Sequence, residues 1–215
     1  MKKLSRGVLL LAIIGCFAGG CFASDWDDEI AGTTEITGYY QQYRNFSFET
    51  GYPYWDFKPP SDDPRIDPIV LSGGGVTVAQ NLAEWFAVWT QLSFFGRATQ
   101  QISNYENSVR VIHNLQGIRY QTKQYGPLRF YGKVGAGIAW YGFSLYDPYY
   151  GYMDMSGTTF SAGYGGGMNV WFNKNIGITL DVSHSLMALP NLTDLDGREK
   201  FDSGMSYTTG LTFRF

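Results

Sequence analysis

The last thirteen residues of the chain, Ser203 to Phe215, alternate with a period of two. Met205, Tyr207, Thr209, Leu211, Phe213 and Phe215 share one face, and Ser206, Thr208, Gly210, Thr212 and Arg214 share the other. A period of two is a β-strand with unlike faces. Such a strand has two stable settings. Its greasy face meets a water-excluding core, or it meets lipid while the polar face lines a lumen.

The same alternation recurs along the chain and selects between these settings. Expected strands cover residues 34–48, 69–80, 85–99, 108–123, 128–144, 158–172, 176–186 and 203–215. The fifth is the most regular, with Leu128, Phe130, Val134, Ile138 and Trp140 opposite Arg129, Tyr131, Lys133 and Tyr141. The fourth is the least regular. Val111 and Leu115 fall on the face opposite Ile118 and Tyr120, and a bulge near Asn114 is expected to restore the pattern. The long connections, 49–68, 100–107, 145–157 and 187–202, alternate with short turns near residues 82, 125 and 174. Five prolines between Pro53 and Pro68 keep the first long connection out of any central strand. Eight strands with this rhythm predict an all-β fold, an eight-stranded antiparallel up-and-down transmembrane β-barrel with both ends on one side. No domain boundary interrupts residues 24–215.

Composition agrees. Lys2, Lys3 and Arg6 precede an apolar run from Val8 to about Phe17, the pattern of a secretory signal, here residues 1–23 with cleavage after Ala23. Ile13-Ile14-Gly15-Cys16 also fits a lipoprotein processing site, so the two processing routes stay open. Removing residues 1–23 takes away three positive charges and no negative one, leaving a net charge of -6. Cleavage after Ala23 removes both cysteines, Cys16 and Cys21, and an exported chain so cut has no disulfide staple. Past the signal, no run approaches the roughly 20 apolar residues of a spanning helix. The 27 Gly, 16 Tyr and 15 Phe suit short alternating strands more than a helical span. Nothing is basic enough to indicate nucleic acid.

The segments Gly132–Trp140 (G-K-V-G-A-G-I-A-W) and Tyr164–Ser185, together with the terminal strand, resemble the OmpA-like, porin-family group of outer-membrane β-barrels. The resemblance is tight over residues 128–185 and 203–215. It implies residence in the bacterial outer membrane, among its lipid and lipopolysaccharide. It also implies recognition by the barrel-assembly machinery through a terminal strand ending on Phe215. It implies no particular activity.

Eight strands leave an interior that side chains can fill. Glu35, Arg97, Arg119, Lys133, Asp181 and Arg214 are expected to point inward and pair as a polar plug, because an isolated buried charge is costly. The alternative is a narrow charged path for small ions or solutes. The aromatic residues Tyr52, Tyr54, Trp55 and Phe57 of the first long loop, with Tyr149, Tyr150 and Tyr152 of the third, are the candidates for an extracellular recognition surface. No catalytic, cofactor or metal site is expected. His184 beside Ser183 and Ser185 weakly resembles lipid A deacylase barrels. However, residue 186 is Leu, His184 and Ser185 must face opposite ways, and no Glu follows on the last strand. The runs Gly135-Ala136-Gly137 and Gly163 to Gly167 lie within strands, without the helix N-terminus a phosphate loop needs. Asp194, Asp196, Glu199 and Asp202 lack the ligand spacing of a calcium loop.

Overall fold

The computed structural model describes residues 30–46, 69–102, 105–147, 151–189 and 200–215. Eight strands account for nearly all of them: β1 (Thr34–Phe46), β2 (Ile69–Ala83), β3 (Phe86–Ile102), β4 (Tyr105–Gln121), β5 (Leu128–Asp147), β6 (Gly151–Trp171), β7 (Ile176–Leu189) and β8 (Lys200–Arg214). Each pairs antiparallel with its sequence neighbours, and β8 pairs back onto β1, so the sheet closes into a barrel. Closure leaves no strand edge exposed, which removes the liability of unpaired backbone groups.

Alternation sorts the side chains. Ile36, Val76, Phe94, Ile118, Val134, Phe160, Val182 and Leu211, one from each strand, are exposed on the outside. Glu35, Gln41, Asn81, Gln91, Arg119, Arg129, Asn169 and Asp181 are buried on the inside. This is the reverse of a water-soluble protein. Ile30, Phe215 and the three tight turns sit at one end, called proximal here. The turn after β6 is set by Asn173, whose side-chain oxygen accepts from the backbone N–H of Asn175 (2.9 Å) and Ile176 (2.8 Å), an Asx turn. The turn before β5 uses Gly126 at a positive φ of 57°.

Two details differ from the sequence expectation. First, β5 and β6 run on to pair Asp147 with Gly151, and β3 pairs Ile102 with Tyr105. The expected loops at 100–107 and 145–157 are therefore largely strand, and Tyr152 lies in β6 opposite Tyr146. At 20 and 21 residues, β5 and β6 exceed the roughly 9–11 needed to cross a bilayer. Second, β4 has no bulge near Asn114. Its pairing with β5 is unbroken from Glu106 to Gln121. Val109, Val111 and Leu115 do face inward and are buried. The interior is apolar at their height: Tyr43, Leu71, Phe95, Val109, Val111, Ala139 and Met187 form one cluster toward the distal end. The strand looked irregular because Asn114 and Gln116 occupy outward positions between Ile112 and Ile118.

The register shift lies in β3 instead, where Phe95 pairs with Val111 but Ala98 pairs with Val109. The extra residue around Gly96-Arg97 reverses the alternation there.

Candidate functional site

The candidate site is the proximal half of the barrel interior. Its centre is Glu35, the second residue of β1, fully enclosed with a side chain 1% exposed. Three guanidiniums converge on this one carboxylate. Arg119 of β4 donates to Oε2 at 2.6 Å. Arg129 of β5 donates to Oε1, and Arg214 of β8 donates to the same oxygen through Nε at 3.3 Å. Arg214 reaches it because the β1–β8 register places it directly opposite Glu35. Asn81 of β2 adds a bond from Nδ2 at 3.3 Å and accepts from Gln121 at 2.9 Å. Aromatic rings cover the cations: Trp171 lies 3.7 Å from the Arg214 guanidinium and 5.7 Å from that of Arg129, and Tyr131 lies 5.2 Å from that of Arg119. Such contacts are worth most where water is excluded.

A second ionic layer sits on the first. Lys133 and Asp181 are 3.0 Å apart. Tyr131 donates to Asp181 at 2.8 Å, and Ser183 donates to its other oxygen. Trp89 packs under Lys133 at 5.2 Å and donates its indole N–H to the Ile118 carbonyl at 2.9 Å. A hydroxyl ladder of Thr37, Thr212 and Thr179 ends on Asn169, which accepts from Thr179 at 2.8 Å. Farther along, Tyr39, Ser93 and Gln41 bond in series, His113 pairs with Ser161, and the apolar cluster follows.

Glycine makes these large side chains fit. A Cβ on Gly135 would stand 2.7 Å from the Trp89 ring, and one on Gly167 would stand 2.7 Å from the Tyr131 hydroxyl. Neither position tolerates a side chain, and so the inward glycines serve as seats for aromatics on neighbouring strands.

The structure brings Glu35, Arg119, Lys133, Asp181 and Arg214 together inside the barrel, all buried except Lys133, which is half-buried. Arg97 is a correction. The β3 bulge turns it outward, where it is exposed and joins none of these contacts. Arg129, Asn81, Asn169 and Trp171 complete the cluster. Alternation sets Arg129 on the face of Tyr131 and Lys133 and points Asn169 and Trp171 inward, but it does not show that they meet the Glu35 cluster, and none of the four is in the expected plug. His113 points inward and is buried. His184 and Ser185 do lie on opposite faces: Ser185 is buried, whereas His184 packs against the outer ring of Tyr164 at 5.3 Å. Tyr52, Tyr54, Trp55, Phe57, Tyr149, Tyr150 and most of the 187–202 connection lie outside the described residues. Among the described residues no three potential ligands gather to hold a metal ion.

No protein-family model matches this sequence, and no curated protein matches it. Solved structures do match. The outer membrane protein OprG from Pseudomonas aeruginosa aligns with a TM-score of 0.51 at 12% identity, covering 89% of this chain and 99% of that one. Ail from Yersinia pestis, solved with the heparin analogue sucrose octasulfate, aligns at 0.50 and 17% identity over 86% and 99%. A major outer membrane protein from Thermus thermophilus aligns at 0.50 and 9% identity over 85% and 99%. At these identities the likeness is one of fold. The fold is that of the small eight-stranded outer-membrane barrels.

Proposed function

We propose that the protein is a small outer-membrane β-barrel with a structural or surface-interaction role, its lumen filled by its own side chains. The observation that carries this reading is the inversion of the barrel. Every strand shows large apolar residues outside while paired charges are buried inside. A continuous apolar outer wall of this extent is not stable in water but suits a bilayer. Trp85 stacks on Tyr120 at the proximal rim (5.8 Å) and Trp140 lies well up β5, the places where interfacial aromatic belts belong. On this reading the proximal end faces the periplasm, and the long connections face outward. The aromatic residues from Tyr52 to Phe57, with Tyr149 and Tyr150, are then the candidate recognition surface.

The two ionic layers and the distal apolar cluster favour a filled lumen over a channel. Charges locked in short pairs do not hydrate a passing ion, and an apolar constriction resists wetting. The test is single-molecule recording in planar bilayers. Wild type is expected to give no steady conductance, and neither is Lys133→Ala. Steady currents altered by Lys133→Ala would make the protein a narrow channel instead. Fractionation and surface proteolysis test location: residence in the inner membrane or cytosol would refute the reading. No catalytic role is proposed. Lipid A whose mass spectrum depends on the protein, and on His184, would overturn that.

A further inference from the structure

One part of the outer wall is poorly suited to lipid. Asn114 and Gln116 project outward from the middle of β4, between Ile112 and Ile118, and Gln116 is exposed. Aromatic residues on either side fix their depth. Gln116 lies four residues, roughly 13 Å along the strand, from Tyr120 of the proximal stack with Trp85. Asn114 lies two residues from Ile112, the cross-strand partner of Trp140. Resting on the proposal that the outer wall faces lipid, this depth puts both amides in the hydrocarbon. Neither acyl chains nor bulk water serve a hydrogen bond there.

The two amides satisfy each other only in part. Asn114 Nδ2 donates to the Gln91 carbonyl at 3.3 Å, and Gln116 Nε2 donates to Asn114 Oδ1 at 3.5 Å. These bonds tie the pair into one unit and use one N–H of each side chain. The second N–H of each, and Gln116 Oε1, have no partner among the described residues. By contrast Gln80, an amide close to the proximal rim, is bonded at both ends, to Thr34 at 2.6 Å and to the Gly32 carbonyl at 3.0 Å. The cross-strand partners of Gln116 are short, Thr90 on β3 and Ala136 on β5, so its amide stands clear for an approaching surface.

We propose that the β3–β4–β5 wall is the interface of a homodimer within the membrane, with the Gln116 amides of two copies paired across a two-fold axis. A reciprocal amide pair takes one N–H and one oxygen from each side, and these are the groups left over on Gln116. The patch is therefore complementary to itself, as a two-fold contact requires. An acyl chain offers neither group. Hydrocarbon supplies no hydrophobic force between two barrels, so directional bonds and close packing hold the copies together.

The test reconstitutes the barrel in phosphatidylcholine vesicles, with donor or acceptor dye on its N-terminal amine, and follows energy transfer as lipid is added. Tryptophan fluorescence reports insertion in every sample. Wild type is expected to keep its transfer through a tenfold dilution with lipid. Gln116→Leu, which nearly keeps the size and suits hydrocarbon, is expected to lose it, its dissociation constant in the bilayer raised roughly ten- to hundredfold. Ala136→Phe, which crowds the amide without removing it, is expected to act the same way. Leu211→Ala, on the outer face of β8 across the barrel, is expected to leave transfer unchanged.

Inserted wild type whose transfer falls to the level of chance encounters on dilution would overturn the proposal and leave the lipid-facing wall in place. The amides would then belong to a contact with a different membrane protein. Transfer that neither Gln116→Leu nor Ala136→Phe weakens, or that Leu211→Ala weakens equally, would also overturn it. A barrel that does not insert would overturn both the dimer and the lipid-facing wall.

Discussion

Replacing Glu35 with Gln removes the charge that three guanidiniums share while barely changing volume. The carboxylate accepts four side-chain hydrogen bonds, from Arg119 at 2.6 Å, Arg129, Arg214 at 3.3 Å and Asn81 at 3.3 Å. The amide offers one oxygen and turns an N–H₂ group toward cations that have nothing to accept with. Charge-assisted bonds are worth about 1.5–3 kcal/mol each, but their sum overstates the loss, because the arginines relax and Asn81 repairs part of it. The better guide is the cost of removing one partner from a buried ion pair, about 3–5 kcal/mol. We expect Glu35→Gln to lose that much, the upper half if all three arginines stay enclosed. The assay is reversible denaturant unfolding in lipid vesicles, followed by tryptophan fluorescence and read at constant m-value. Adding Arg129→Met should restore part of the loss, because the variant then carries one fewer stranded cation, and the double-mutant cycle measures the coupling. A loss below about 1 kcal/mol, or additive effects of the two changes, would refute the claim that Glu35 neutralises the cluster.

The outer wall and the packing give further tests. Val134, half exposed on β5 between Phe130 and Trp140, faces lipid, so Val134→Arg should cost about 2–4 kcal/mol in bilayers; a neutral result would place that face in water. Gly135→Val pushes a branched side chain into the Trp89 ring and the Gln116 carbonyl. Overpacking of this kind costs about 1–3 kcal/mol, seen as a lowered unfolding midpoint, whereas Gly132→Ala, on the open outer face, should be milder. Arg97→Gln should change stability by less than about 0.5 kcal/mol, in contrast to the inward cations; a large loss would mean that the β3 bulge is misplaced.

The eight strands, their order and the inside-out sorting of side chains were legible in the sequence because alternation is a local property. A strand shows its two faces in the residues it carries, and the terminal strand from Met205 to Phe215 does so without help from any other. Most of the ionic set followed from the same rule, since Glu35, Arg119, Lys133, Asp181 and Arg214 occupy inward positions on strands whose phase is continuous. Arg97 failed because phase is continuous only where pairing is. The extra residue around Gly96-Arg97 is set by how β3 meets β4, and nothing in β3 alone announces it. Val111 and Leu115 misled for the opposite reason. The interior changes from ionic to apolar along its length, and that gradient exists only when Tyr43, Leu71, Phe95 and Met187 arrive from other strands.

Alternation by itself therefore determined that this chain closes a barrel with lipid-facing and lumen-facing walls, because period two forces the division strand by strand. Tertiary structure decided which inward residues meet. Glu35 lies 84, 94 and 179 positions from the arginines it holds. Register across the closing β1–β8 pair and the height of each strand in the barrel bring them together.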